Sequence, residues 1–152
     1  MIDELFENLT DIDENSDNTN KYLTFLSNDL IYGIKIENVT EIITNYSITK
    51  LPMVPNYVQG IINLRGQIIP VIDIRLRMNK LASETPYPCI IIIEINSISI
   101  GILVDSVLQV LNLENKIAAP PSKNQEFISG ITNLPDGSVM FYLDCDLLVN
   151  TK

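Results

Sequence analysis

The chain has no histidine and no tryptophan, and its two cysteines lie far apart in the sequence. Without histidine, the side chain that most often transfers protons near neutral pH is missing, and no histidine-based catalytic triad can form. The cysteines lack the close spacing of a zinc site, and no glycine-rich phosphate-binding motif is present. These absences argue against an enzyme and predict no catalytic residue, metal or cofactor.

Long apolar runs are also missing. The most apolar window, residues 89–104, is interrupted by Glu94 and Asn96, so it predicts two strands and a turn rather than a membrane span. The N-terminal end is acidic, unlike a basic secretory signal. Cys89 and Cys145 are therefore predicted to be reduced core residues. The protein is expected to be soluble and cytoplasmic, without membrane insertion.

The formal charge of -9 is unevenly distributed along the chain. Residues 1–20 contain seven acidic residues and no Lys or Arg, which leaves 10 basic and 12 acidic residues for the rest. Because the remainder is nearly balanced, nothing indicates nucleic-acid binding. Residues 1–20 are predicted to form a disordered acidic tail. A short amphipathic helix is the alternative, because five apolar residues lie at helical spacing: Ile2, Leu5, Phe6, Leu9 and Ile12.

One sequence pattern occurs twice. Residues 57–64, YVQGIINL, return about 70 residues later as residues 127–134, FISGITNL. A solenoid stacks several shorter units, so two long copies do not suit it. They predict one domain, residues 21–150, made of two similar intertwined β subdomains that share a core. The first copy spans about residues 21–81 and the second about residues 87–149.

Isoleucine dominates the apolar residues, which favours strands. Residues 39–44 are compatible with a helical turn or a strand, and Pro70 predicts an edge position or a bulge. At the C-terminal end at most a short helix is expected. The remaining predicted segments are strands at 21–28, 31–36, 90–95 and 98–104, hairpins at 60–74 and 130–143, a helix at 74–81, proline-containing loops at 51–56 and 118–121, and a linker at 82–86.

Two groups of charged residues are candidates for chemistry. Asp144 and Asp146 would face the same side of a predicted strand, as an acid and base could, although a solvated outer face is the favoured interpretation. All three arginines, Arg65, Arg75 and Arg77, fall within 13 residues and could form a docking patch or only a solvated positive face. Arg65 lies at a predicted hairpin tip. The apolar residues that could complete a binding site there are Val39, Ile43, Met53 and Val58.

Residues 60–75, GIINLRGQIIPVIDIR, resemble the signature of CheW-type chemotaxis coupling proteins. Residues 32–34, YGI, together with Val39-x-Glu41-Ile42, are similar to an earlier motif of that family, and residues 101–107, GILVDSV, to a later one. The resemblance covers about residues 21–149. It implies an all-β fold of two SH3-like five-stranded β-barrel subdomains with short helical turns.

The resemblance also implies a non-enzymatic adaptor without a cofactor. Such an adaptor couples the cytoplasmic tips of methyl-accepting chemoreceptors to the regulatory domain of the histidine kinase CheA, in cytoplasmic arrays associated with the membrane receptors. Alternatives are an adaptor of another chemosensory pathway, such as twitching motility, or a small carboxylate-based β-barrel hydrolase or ligand-binding protein. Matching by motif, the partner-binding residues are expected to be Val39, Glu41, Gly60, Asn63, Arg65 and Arg75.

Overall fold

The computed structural model describes residues 21–78, 80, 88–113 and 127–150. The predictions for the acidic tail, the linker and the second proline loop lie outside these residues. The strands are β1 (Lys21–Ser27), β2 (Leu30–Lys35), β3 (Val39–Ile43), β4 (Val58–Leu64), β5 (Gln67–Asp73), β6 (Cys89–Ile95), β7 (Ile98–Val104), β8 (Ser106–Asn112), β9 (Ile128–Asn133) and β10 (Val139–Leu143). A 3₁₀ turn (Ile36–Asn38) and two short helices, α1 (Ile74–Arg77) and α2 (Cys145–Asn150), complete the described elements.

The strands form two five-stranded sheets with the same internal plan. The first sheet has the order β8-β1-β2-β10-β9, and the second has the order β3-β6-β7-β5-β4. In each sheet a central antiparallel hairpin comes from one sequence copy and the other three strands come from the other copy. In each sheet one parallel strand pair connects the two copies: β2 pairs with β10 in the first sheet, and β5 pairs with β7 in the second. The predicted all-β class with two five-stranded units is confirmed.

The apolar residues form one shared core and two smaller ones. The shared core combines residues of both sheets, such as Phe25 and Ile34 from the first and Ile91 and Ile102 from the second. Each smaller cluster packs on the other face of one sheet. Because successive side chains of a strand point to opposite faces, β6 needs apolar residues at consecutive positions to fill two cores. Residues 90–93 are all isoleucine and all buried, in the middle of a sheet and not at its edge.

Several local predictions can be compared with the structure. Residues 39–43 form a strand, not a helical turn, because β3 pairs with β6 at the edge of the second sheet. Pro70 does not lie in an edge strand, since β5 pairs with both β4 and β7. Its missing N–H is tolerated because the pairing of β5 with β7 begins only at Val71. The helix after Asp73 spans Ile74–Arg77, which is shorter than predicted.

Both cysteines are buried and unbridged, as predicted. Burial raises the pKa of the Cys89 thiol. Burial, with smaller contributions from Asp144 and Asp146, raises the pKa of Cys145 to about 12. Both side chains are therefore neutral thiols at physiological pH. Within the described ranges, no helix is long and apolar enough to cross a membrane.

Candidate functional site

The β4–β5 hairpin ends in a tight turn at Arg65 and Gly66. Both residues have positive φ, 51° and 86°, which is typical of a two-residue hairpin turn that normally contains Asn or Asp before Gly. An arginine in this left-handed conformation costs roughly 1 kcal/mol. The Oδ1 atom of Asn63 accepts a hydrogen bond of 2.9 Å from the Gly66 N–H and so stabilises the turn. Arg65 is thus both strained and located at the tip of the turn. Backbone strain at an exposed position is often found at functional sites.

Arg65 forms a bidentate ion pair with Glu41 of β3. Its Nη1 donates to Oε1 at 3.1 Å and its Nη2 donates to Oε2 at 2.5 Å. The arginine side chain is 71% exposed, whereas the glutamate side chain is 17% exposed. Glu41 therefore orients the guanidinium group and leaves its other N–H donors facing outward. The hydrogen bond to Glu41 raises the pKa of Arg65, so the group stays charged.

The ion pair also shows how the second sheet is curved. Glu41 lies on β3 and Arg65 at the end of β4, and these two strands are the opposite edges of that sheet. Side chains of β3 and β4 also join the same apolar cluster, with Ile43 and Leu64 packed against Ile62. The sheet therefore rolls until its edges approach each other, which places Arg65 beside Glu41 although 24 residues separate them.

Ile68 is a further candidate that the sequence reasoning missed. It is 63% exposed and lies directly across the hairpin from Asn63. Its neighbour Ile69 is buried on the other face. The register set by a turn at Arg65 and Gly66, combined with the period of two residues in a strand, was the signal that could have identified it. We call Glu41, Asn63, Arg65 and Ile68 the hairpin surface.

Two other expected partner-binding residues are packed inside the domain. Val39 is half-buried and packs against the shared core. Gly60 is buried at a bulge in β4, with φ of 146°, against the backbone of Thr49. A Cβ atom at position 60 would overlap the Thr49 carbonyl oxygen and lie 2.8 Å from its carbonyl carbon. Glycine is required here by a close approach within the chain itself.

Arg75 belongs to a different group, at the junction of the two sheets. Its Nη2 and Nε atoms donate to Oδ2 of Asp105 at 2.6 and 3.2 Å, and the two side chains are only 17% and 9% exposed. The same oxygen accepts from the N–H of Asn28, in the β1–β2 turn of the first sheet. The hydrogen bond to Asp105 raises the pKa of Arg75. Arg75 therefore connects α1 with the first sheet through Asp105.

The three arginines do not form one patch. Arg77 lies between two aromatic rings, with its guanidinium carbon 4.4 Å from the ring centre of Tyr57 and 4.1 Å from that of Phe127. These two aromatic residues occupy equivalent positions in the two sequence copies. Arg75 is buried at the junction of the sheets, and only Arg65 presents its guanidinium group at a hairpin tip. Of the other apolar candidates, Ile43 and Val58 are half-buried and Met53 is fully exposed.

The placement of Asp144 and Asp146 on one strand is wrong. The last strand ends at Leu143, and Asp144 precedes α2, where its Oδ1 accepts from the Leu147 N–H at 3.3 Å. Asp146 lies within the helix. An N-terminal cap explains Asp144 better than an acid–base role. The described residues also contain no group of three or more Cys, Asp or Glu side chains that could hold a metal ion.

Comparison with known proteins places the chain among chemotaxis proteins. The sequence profile of the CheW-like domain matches residues 21–152. The chemotaxis protein CheW of Thermotoga maritima is 29% identical over 129 residues, covering 84% of this chain and 85% of that protein. CheW of Bacillus subtilis is 36% identical over 108 residues, covering 70% and 69%.

A solved structure agrees with this assignment. The crystal structure of the scaffolding protein TtCheW from Thermoanaerobacter tengcongensis superposes with a TM-score of 0.75 at 36% identity. The match covers 82% of this chain and 88% of that one. Sequence and fold therefore agree over most of the chain, and the protein belongs to the CheW-like domain family.

Proposed function

We propose that this protein is a non-enzymatic adaptor of a chemotaxis pathway, which couples the cytoplasmic tips of chemoreceptors to the histidine kinase CheA. Membership of a family that includes a scaffolding protein supports this proposal. The observation that carries it further is the hairpin surface. There an exposed arginine, held by Glu41, and an exposed isoleucine both lie near the end of the same hairpin. In the proposed role the adaptor works in the cytoplasm and needs no cofactor.

The hairpin surface has the composition of a binding hot spot. Arginine is enriched in such sites because its planar guanidinium group can form several directed hydrogen bonds. Glu41 holds this group in place before a partner arrives, which reduces the entropy lost on binding. Ile68 supplies exposed apolar area on the same hairpin. We propose that the regulatory domain of CheA binds to this surface. In this complex Arg65 donates hydrogen bonds to acceptor groups of the kinase.

The remaining expected site residues act indirectly in this proposal. Asn63 shapes the turn that carries Arg65, and Gly60 allows β4 to pack against Thr49. Arg75 holds the two sheets together through Asp105. Val39 begins the strand that positions Glu41. Substitution of these residues is expected to weaken binding through the shape of the hairpin surface.

Calorimetric titration against the isolated regulatory domain of the CheA from the same source tests the assignment. We expect a dissociation constant in the micromolar range, which corresponds to a binding free energy of about -8 kcal/mol. This affinity is typical of a small transient interface. Arg65→Glu should weaken binding about 30-fold, since a hot-spot arginine contributes about 2 kcal/mol. Ile68→Ser should weaken it about tenfold, through lost apolar contact.

Two controls make the titration specific. Lys80→Glu reverses an exposed charge beyond α1, at the other end of β5, and should leave the affinity unchanged. The double variant Glu41→Arg with Arg65→Glu restores the ion pair but removes the exposed cation, so it should bind as weakly as Arg65→Glu. Binding of Arg65→Glu that equals wild type would exclude the hairpin surface as the kinase site. Absence of wild-type binding at tens of micromolar would exclude this kinase as a partner.

A further inference from the structure

The loop of residues 51–56, between β3 and β4, exposes an unusual amount of apolar surface. Met53 is fully exposed, and Leu51 and Val54 are each more than one third exposed. Single exposed apolar residues are common, but three within four positions of one loop form a patch of the kind that binds another chain segment. We call residues 51–56 the proline loop, since Pro52 and Pro55 separate its apolar residues.

Backbone hydrogen bonds hold the chain at both ends of the exposed proline loop. Before it, Thr49 and Ile61 exchange two backbone hydrogen bonds of 2.8 and 2.9 Å. After it, the N–H of Val58 donates to the carbonyl oxygen of Pro55 at 3.0 Å. Met53 has φ of 60° in a turn that follows proline, at a position where glycine is usual. Because Met53 is strained and fully exposed, its side chain does not serve the packing of the fold and is available for contact with another chain segment.

The charge around this loop complements the N-terminal segment. Residues 42–72 contain no acidic residue in a chain with 19 of them, and the basic residues of this stretch are Lys50 and Arg65. Lys50 is exposed and adjoins the proline loop. Residues 1–20 contain seven acidic residues and no basic one, with five apolar residues at helical spacing. The apolar residues of the N-terminal segment match the apolar loop, and its negative charge is not opposed by acidic residues in the sequence around that loop.

The N-terminal segment is long enough to reach the loop from any side. It joins the fold at Lys21, where β1 begins. Twenty residues extend to about 66 Å. A folded unit of about 130 residues has a radius of gyration of only about 14 Å. A tether of this length gives an effective concentration of about 1 mM, so a contact that is weak between separate molecules becomes populated within one chain.

We propose that residues 1–20 dock on the proline loop of the same chain. In this proposal the apolar side chains of Leu5, Phe6 and Leu9 contact those of the loop, and the negative charge of the segment is attracted to Lys50. This inference does not depend on the proposed function, and no kinase or receptor is needed to test it.

Methyl NMR of the full chain provides the test. A nitroxide label is attached to Asn8→Cys, and the native thiols do not compete because Cys89 and Cys145 are both buried. With methionine methyl labelling, the Met53 signal, assigned through Met53→Leu, should lose more than half of its intensity relative to the reduced label. Met140 packs in the same cluster as Tyr22, beside the start of β1, so its signal reports the broadening that tethering alone produces, and Met53 should lose more intensity than Met140.

Two controls decide the outcome. Leu5→Ser with Phe6→Ser removes apolar contacts but keeps every charge, and should restore the Met53 signal. Dilution should leave the broadening unchanged, because the contact is within one chain. An unaffected Met53 signal in the labelled full chain overturns the proposal, as does broadening that survives the double substitution. Broadening that disappears on dilution would assign the contact to the tail of a second copy and would also overturn it.

Discussion

Replacement of Gly60 by alanine tests whether the packing of the chain itself requires glycine at this position. At φ of 146° an L-residue is strained, which costs about 1–2 kcal/mol. The new Cβ would also overlap the Thr49 carbonyl oxygen and lie 2.9 Å from Cγ2 of Ile48. Thr49 cannot move away without breaking its two hydrogen bonds to Ile61. Overpacking of this kind adds about 1–3 kcal/mol, so we expect a total near 3 kcal/mol.

Gly66→Ala is the matched control. Gly66 also has positive φ, 86°, but a Cβ there would meet nothing within 4 Å. Its replacement should therefore cost only the conformational term, about 1 kcal/mol. Urea denaturation followed by circular dichroism measures both differences. In thermal melts we expect losses of about 6–12 °C for Gly60→Ala and about 2–4 °C for Gly66→Ala. Equal losses would refute the argument that the backbone at Thr49 restricts position 60.

Three further predictions concern the junction of the sheets and the thiols. Arg75→Gln should lower the free energy of unfolding in urea by about 3 kcal/mol, because it removes the charge of Arg75 from a buried ion pair with Asp105; no loss would show that the pair is not needed for stability. Arg77→Ala should lower it by about 1–2 kcal/mol through loss of two ring contacts, and Arg77→Lys should lose less. The pKa of Cys145 is raised to about 12, so its thiol stabilises the fold at neutral pH and this stability is lost between about pH 9 and 12, at about 1.4 kcal/mol per pH unit. Cys145→Ala should make the loss of stability with rising pH less steep in urea titrations, where Cys89 and the buried tyrosines also contribute, and an unchanged slope would contradict the assignment.

The repeated sequence predicted two intertwined five-stranded units, but it did not show which hairpins are exchanged between the copies. Local alternation identifies a hairpin such as β1–β2, and its apolar face could pack equally well on either copy. The choice depends on the parallel pairing of β2 with β10 and of β5 with β7, which joins segments from different copies. No periodicity within a strand reports such a pairing. The shared core follows from this exchange, since each sheet contains strands of both copies.

The candidate site was predictable where local geometry decides it. A turn at Arg65 and Gly66 places the arginine at a tip, and the same register places Ile68 on the outer face. The partner of Arg65 was not predictable, because Glu41 reaches it only through the curvature of the sheet. Arg75 was grouped with Arg65 by sequence distance. Its burial depends on Asp105, 30 residues away, which no local pattern shows.

The prediction for Asp144 failed because it placed both carboxylates on a strand, although the predicted hairpin already ended at residue 143. The repeat contained the correct signal. Asp73 ends β5, and its Oδ1 accepts from the N–H of Arg75 at the start of α1. Asp144 holds the equivalent position before α2 and accepts from Leu147. A capping role for Asp73 in the first copy therefore predicts a capping role for Asp144 in the second. The two-residue period of a strand instead placed Asp144 and Asp146 on the same face.

Co-sedimentation with receptor-containing membrane vesicles tests the proposed coupling function most directly. Vesicles carrying a chemoreceptor, the CheA from the same source and this protein are mixed and centrifuged, and the kinase in the pellet is measured with and without the adaptor. The account predicts that CheA sediments with the vesicles only when the wild-type protein is present, and that Arg65→Glu leaves the kinase in the supernatant. Kinase that sediments equally without the adaptor, or remains in the supernatant at saturating wild-type protein, would contradict it.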